Sequence, residues 1–370
     1  MHASVSRKPE ARPTTAAPPA FAGSFDLPTR QSGALTVPTV ADCGERALIA
    51  RITERLSAPA WVVIGPGDDA AAIEPVRGAL EVLTTDAQID GVHFDRRFVP
   101  PDAIGHRALA VNLSDLAAMG ARPRAALLSM ALPPSLDLAA FDGMLDGLLA
   151  LAKRYGVALI GGNITSTPGP LTLDVTAIGT VHRRKTLTRG GARAGDEVFV
   201  TGAIGDAATG LRCLQAALAE GVAVTGADAQ VARYLRPEPR VRAGSLLGSN
   251  RAASSCMDLS DGLADGVRQI AEASGVGVTL DAAAIPVSPE ARGWLTAHGC
   301  NPLDIALSGG DDFELVFTVR PTHRGRLRAV RRHLGDLPIT RIGVVTRTRR
   351  LLVKDEQGER ELPAGYEHFR

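Results

Sequence analysis

A chain of 370 residues is longer than one ordinary domain and suits two, and 45% hydrophobic with 22% charged residues gives each half enough apolar material for a core. The 41 basic and 40 acidic side chains leave a formal charge of +1, so nothing points to a nucleic-acid surface or an acidic tail. No run approaches the roughly 18 apolar residues of a membrane span, the best being Ala125 to Leu132, which is strand-length.

Residues 1 to 40 are rich in Pro, Ala, Ser and Thr, carry Arg7, Lys8, Arg12 and Arg30, and lack the apolar core of a secretory signal. They read as a disordered tail. Asp42 is placed to cap a helix whose apolar face is Leu48, Ile49, Ile52 and Leu56, ending near Pro59. Trp61 to Ile64 and Glu81 to Leu83 read as strands that bracket the turn Gly65-Pro66-Gly67-Asp68-Asp69. Pro101 and Asp102 open a helix that runs to Gly120, its apolar surface interrupted by Asn112, Ser114 and Asp115. Ala125 to Leu132 is a strand, Asp137 caps a helix ending at Gly156, and Val157 to Ile160 delivers Gly161-Gly162-Asn163. A long strand follows over Leu171 to Val181, and Arg183-Arg184-Lys185 reads as a solvated bend at the domain boundary, giving domains over 41–182 and 183–370.

The second half repeats the style. Asp196 to Val200 is a strand before a helix through Leu211, Leu214 and Leu218, and Arg236-Pro237-Glu238-Pro239-Arg240 is a stiff connector. Met257 to Gly262 opens a further helix that ends at Gly275, and Ser308 to Glu314 leads into the strand Leu315 to Thr318. Strand and helix alternate quickly, so each half is expected to be α/β. Cys43, Cys213, Cys256 and Cys300 lie far apart with no Cys-x-x-Cys pair, which argues against a disulfide framework or zinc site and for a reducing cytoplasm.

The chemistry lies in the acidic clusters. Asp68, Asp69, Asp86, Asp115, Asp258, Asp261, Asp311, Asp312 and Glu314 stand mostly beside glycine or at an expected helix start. Adjacent carboxylates repel unless a cation balances them, and a hard divalent ion such as magnesium takes oxygen ligands completed by substrate phosphates. The ordinary alternative for Asp258 and Asp261 is stabilisation by a helix N-terminus. The pairs Gly161-Gly162, Gly190-Gly191 and Gly309-Gly310 let backbone N–H groups approach phosphate. There is no P-loop, no His-Arg-Asp catalytic loop and no Gly-x-Gly-x-x-Gly fingerprint. A site rich in aspartate and poor in bases suits phosphoryl transfer to an acceptor that is already a phosphate oxygen, which needs no general base at neutral pH.

At these residues the chain resembles the thiamine-monophosphate kinases, of the PurM-like family that also contains aminoimidazole ribonucleotide synthetase. The resemblance runs from about residue 42 to the end. It rests on Gly67-Asp68-Asp69, Thr84-Thr85-Asp86, Gly91-Val92-His93-Phe94, the run Ala110 to Gly120, Leu187-Thr188-Arg189, Met257 to Leu263, Ser308 to Leu315 and Gly365-Tyr366-Glu367-His368-Phe369. It implies a two-domain PurM-like α/β (α+β) fold. The N-terminal mixed sheet would pair with a second subunit into a dimer barrel, with the ATP site near that interface and an α/β domain following. It implies transfer of the ATP γ-phosphoryl group to thiamine monophosphate.

Carried over by position, Asp69, Thr84, Thr85, Asp86, Asp115, Asp258 and Asp261 match the magnesium ligands of that family, and Asn163 takes a further ligand position. Gly162, Asn163, Arg189 and Ser260 match its ATP contacts, and His93, Asp311 and Tyr366 its thiamine-phosphate contacts. Three positions depart from the family pattern. Gly161-Gly162-Asn163-Ile164 stands where Gly-Gly-Asp-Thr is usual, Asp311 is one methylene shorter than the usual glutamate, and Leu145 replaces a tyrosine expected near the nucleotide. These departures keep two other readings in view: a PurM-like enzyme using ATP on a different acceptor, and a protein that binds nucleotide or thiamine phosphates without turnover.

Overall fold

The structure, a computed structural model, describes residues 37–365, so Tyr366 and the expected tail over 1–36 lie outside the described residues. The first helix is capped by Thr39 rather than Asp42. The Thr39 hydroxyl accepts the Asp42 N–H while the Asp42 carboxylate accepts the Thr39 N–H at 2.8 Å, a reciprocal capping box. Thr39 and the buried Val40 therefore belong to the folded chain and not to the tail. Gly44, at φ +79°, then separates α1 (Val40–Cys43) from α2 (Glu45–Thr53), splitting the single helix expected there.

The first half continues with β1 (Val62–Ile64), β2 (Ala72–Ile73), β3 (Leu80–Ile89), α3 (Pro101–Ala118), β4 (Arg122–Leu132), α4 (Leu138–Tyr155), β5 (Ala158–Ser166) and β6 (Thr172–Val181). Its four-stranded sheet has the order β3-β6-β4-β5, parallel only between β4 and β5. Period-two alternation sorts the residues of β6: Leu173, Val175 and Ala177 are buried beneath α3, while Asp174, Thr176 and Ile178 face the other way. That second face is covered at one end by the β1–β2 pair, where Trp61, Val62 and Ile73 pack on Ala125, Ala158 and Ile160. Elsewhere it is open, with Leu83 64% exposed.

Helices α3 and α4 cross so closely that two glycines are required. A Cβ on Gly105 would lie 1.7 Å from the Met144 carbonyl oxygen, and one on Gly147 would lie 1.9 Å from that of Asp102.

The second half comprises β7 (Glu197–Thr201), α5 (Asp206–Glu220), α6 (Asp228–Leu235), α7 (Val241–Ser249), β8 (Ser255–Asp258), α8 (Leu263–Ser274), β9 (Gly277–Asp281), α9 (Pro289–Ala297), α10 (Pro302–Ser308), β10 (Leu315–Val319), α11 (Arg324–Leu334), β11 (Ile339–Thr346), β12 (Leu351–Asp355) and β13 (Gly358–Glu361). The seven-stranded sheet runs β13-β12-β9-β11-β7-β10-β8, parallel only between β9 and β12. Strands β7, β8 and β10 are buried along their whole length because helices cover both faces. The residues Met257 and Asp258 end strand β8, whereas a helix start was expected, and α8 begins only after Gly262. Asp258 therefore gains nothing from a helix N-terminus.

The halves do not keep separate cores. One buried cluster joins Leu109, Leu113 and Leu116 of α3 to Leu247 of α7 and to Phe199 and Phe317 of the second sheet, while Val198, Met257 and Val316 face a second cluster on α8. The connector 236–240 is tied down as well. Arg236 pairs with Asp102, the His106 Nε2 donates to the Pro237 carbonyl at 2.9 Å, and the Tyr155 hydroxyl donates to the Pro239 carbonyl at 3.0 Å. Among the described residues no helix is long and apolar enough to cross a membrane.

Candidate active site

A cleft of about 470 Å³ opens where the two halves meet. Strand β3 delivers Asp86, the buried helix α3 delivers Asp115, the end of β8 delivers Asp258, and the turn after it delivers Ser260 and Asp261. His93, from the turn after β3, and Asp311, from the loop before β10, line the same cavity. Seven residues singled out from the sequence thus share one cavity although they lie more than two hundred positions apart.

The carboxylates are strained electrostatically. Thr84 donates its hydroxyl to Asp115, the Ser114 hydroxyl donates to Asp258 Oδ2 at 2.7 Å, and the Ser260 hydroxyl donates to Asp261 Oδ2 at 2.7 Å. Burial first, and then the neighbouring Asp115, push Asp86 up to about 7. Asp258, 4% exposed, is likewise pushed up to about 7 by burial and by Asp115, against the stabilising hydrogen bond from Ser114. Carboxyl groups that hold protons near neutrality, with only hydroxyls to help them, are the donor set that a hard divalent cation satisfies. Among the described residues no three Asp, Glu, His or Cys side chains close into a metal cage.

The part of the cleft formed by His93 and Asp311 is braced from behind. His93 Nδ1 accepts the Ile89 N–H at 3.1 Å, which leaves the ring proton on Nε2. Asp311 and Phe313 take left-handed backbone conformations, at φ +69° and +49°, and their N–H groups donate to the carbonyls of Ser260 at 2.7 Å and Leu259 at 2.9 Å. Between them the buried Asp312 accepts the N–H groups of Gly205 at 2.6 Å and Ala207 at 3.1 Å, at the start of α5. Burial pushes Asp312 up to about 7. Gly310 is needed because a Cβ there would lie 2.4 Å from the Ser260 carbonyl oxygen.

Other expected site residues lie elsewhere in this single chain. Asp69 sits in the exposed turn between β1 and β2, where its N–H donates to Asp68 Oδ1. Thr85 points to the opposite side of β3 from Asp86 and donates to Asp174 Oδ1 at 2.9 Å. Gly162 and Asn163 are exposed on β5, with Asn163 in register with Ser129 and, one strand further, Asp174. Arg189 is exposed and donates to Gln269 Oε1 at 2.6 Å. Leu145 is a core residue of α4, 1% exposed, and does not reach the cleft.

Sequence reasoning missed Gln88, Gln215 and Tyr234, which line the cleft, and Arg107, which stands behind it. For Arg107 a signal was present: a lone charge within the apolar run from Ala103 to Val111. Gln215 and Tyr234 come from amphipathic helices and carry no comparable sequence mark.

Residues 67–181 match the family model for the N-terminal domain of AIR synthase related protein, and residues 193–356 match that for its C-terminal domain. The thiamine-monophosphate kinase of Escherichia coli (strain K12) is 40% identical over 333 residues, spanning 88% of this chain and 98% of that protein. The crystal structure of thiamine-monophosphate kinase from Stenotrophomonas maltophilia K279a aligns with a TM-score of 0.73 at 39% identity, covering 82% of this chain and 94% of that one. A structure of AaThiL complexed with AMPPCP and TMP aligns with a TM-score of 0.71 at 32% identity, covering 89% of this chain and 98% of that one.

Proposed function

The chain belongs to the thiamine-monophosphate kinase family of AIR synthase related proteins, and we infer that it transfers the γ-phosphoryl group of ATP to thiamine monophosphate, giving thiamine diphosphate and ADP. The observation that carries this reading is the cleft that Asp86, Asp115, Asp258 and Asp261 line together with His93 and Asp311.

The acceptor oxygen belongs to a phosphate monoester that is already anionic, so the protein supplies positioning and charge balance rather than a base. Asp86, Asp115, Asp258 and Asp261, with the Thr84 hydroxyl, would hold magnesium. Magnesium bound there would offset the charge of the polyphosphate. Phe94, Phe98 and Phe313 line the same cleft, and this apolar lining would favour transfer over hydrolysis once the acceptor is bound. Ser260 is placed to meet nucleotide beside Asp261.

The open face of the four-stranded sheet supports a homodimer. Thr85, Gly162 and Asn163 lie on or beside that face, and we assign them, with Asp69 and Arg189, to a nucleotide site that extends towards the second subunit. A monomer in sedimentation equilibrium would contradict this. We keep the domain division between residues 182 and 183, because the four-stranded sheet ends at Val181 and the seven-stranded sheet begins at Glu197. The free cysteines support a cytoplasmic setting.

The raised carboxyls give the metal assignment a pH signature. Below pH 7 Asp86 and Asp258 carry protons that a cation must displace. Magnesium affinity should therefore rise with pH up to about 7 and level off above it, by roughly tenfold per pH unit for each proton released. Calorimetry with magnesium and AMPPCP, in two buffers of different ionisation enthalpy, reads both the affinity and the protons released. Affinity that stays flat between pH 5.5 and 8 would remove these two aspartates from the site.

A further inference from the structure

Arg107 is 1% exposed on α3, beneath the acceptor wall of the cleft, and it reaches three separate segments. It donates through Nη1 to the Tyr234 carbonyl on α6 and through Nη2 to the His93 carbonyl at 3.4 Å. Its Nη2 also stands 3.3 Å from Asp311 Oδ1, and its guanidinium lies over the Tyr234 ring, 4.5 Å from the centroid. His93, Tyr234 and Asp311 all line the cleft. Two of them come from the second half of the chain and one from the first, so a single buried cation joins the halves at the acceptor wall.

We propose that Arg107 is the positioning residue of the acceptor site: by holding Asp311, Tyr234 and the His93 turn at once, it sets the shape and charge of the wall that receives thiamine monophosphate.

Three features favour this over a purely structural role. A buried guanidinium needs a carboxylate, and Asp311 is the acidic partner it has here, while the Asp311 side chain is still 32% exposed. One oxygen of Asp311 is committed to Arg107 and the group keeps a solvent-facing side for the acceptor. Asp311 also sits at φ +69°, with its N–H held by the Ser260 carbonyl at 2.7 Å, so the carboxylate is presented to Arg107 from a fixed backbone. Finally, Arg107 Nε is buried without a hydrogen-bond partner, so the side chain is oriented by its forked end and its ring contact and not by local helix bonds. The shorter Asp311 fits this arrangement, because its reach is set by the buried arginine.

The inference rests on the acceptor being thiamine monophosphate, and the experiment separates the two. Wild type, Arg107→Lys and Arg107→Met are assayed for ADP release while thiamine monophosphate and ATP are varied in turn, with Tm recorded for each. The expected result is a rise of tenfold or more in KM for thiamine monophosphate, with KM for ATP within twofold of wild type. Arg107→Lys should recover part of the loss, because it keeps the charge but not the fork. A double variant of Arg107→Lys with Asp311→Asn should be little worse than Asp311→Asn alone. Equal changes in both KM values, or losses that follow Tm and multiply in the double variant, would overturn the positioning role. Should Arg107→Met fail to fold, the Lys variant and the double variant carry the same test. Wild type that turns over ATP without thiamine monophosphate would instead contradict the acceptor assignment. The Arg107–Asp311 coupling would then be read from denaturant unfolding of wild type, Arg107→Lys, Asp311→Asn and the double variant, where additive effects overturn it.

Discussion

Asp86→Asn is expected to reduce ADP release dependent on thiamine monophosphate by about a thousandfold or more, on the scale of 4 kcal/mol of transition-state stabilisation, while the protein stays folded. Asparagine keeps one oxygen but cannot carry the negative charge that balances a divalent cation. The metal-free stability should move the other way. In the native protein Asp86 is pushed up to about 7 by burial and by Asp115, whereas its ordinary value is 3.8. Between those values the folded state binds more protons than the unfolded state, so wild-type stability falls as pH rises through that window. The variant does not pay this penalty. With chelator present it should match wild type near pH 4 and exceed it above pH 7, by on the order of 1–2 kcal/mol once solvent screening is allowed for. Urea unfolding at pH 5 and pH 8 measures the difference. Full activity, or a stability gap that does not change with pH, would contradict the role given to Asp86.

Glu314→Gln should have the largest effect on stability. Glu314 is fully buried and accepts from Arg233 Nη2 at 2.7 Å, from Arg240 Nε at 2.6 Å and from the Thr201 hydroxyl at 2.6 Å. Burial raises its pKa, but Arg240 and Arg233 outweigh that and hold it below the ordinary value of 4.5. Removing the charge leaves two largely buried guanidinium groups facing a neutral amide, at a cost of about 3–5 kcal/mol. A depressed pKa gives stability that is present above the unfolded value and lost as pH falls through the folded one. The gap between wild type and variant should therefore be full at pH 7 and shrink below about pH 4. The same network anchors the loop carrying Asp311 to Phe313, since Arg233 also donates to the Asp312 carbonyl at 3.0 Å. KM for the acceptor should rise with the loss of stability. A change below 1 kcal/mol at pH 7 would mean that the two arginines find other partners.

The sequence revealed the cleft better than it revealed the secondary structure around it. Asp261 and Asp311 could be picked out because they stand beside glycine, and Asp86, Asp115 and Asp258 because each is an acidic residue set in or at the end of an otherwise apolar stretch. Their convergence depends on topology. Strand β8 pairs with β10 at one edge of the second sheet, so Asp258 ends beside the buried helix α3, an arrangement that local patterning does not specify. The same limit misplaced Asp258 at a helix start: the four residues Ser255 to Asp258 are a strand too short to show a period. Thr85 and Asp86 looked equivalent as neighbours, yet adjacent strand residues face opposite ways. Arg107 stands out as a charge in an apolar helix, but its meaning went unread because two of its partners, Tyr234 and Asp311, lie in the second half of the chain. The shared core between the halves was also hidden, since apolar spacing tells which face of an element is buried and not against what.

The most direct test is steady-state ADP release by the full chain with ATP and magnesium, comparing thiamine monophosphate with thiamine and with no acceptor, and with the product identified. Turnover that requires thiamine monophosphate and yields thiamine diphosphate is the expected result, and it would show that Asn163 and Asp311 are tolerated. Folded protein that binds ATP but gives no thiamine diphosphate would contradict the assignment.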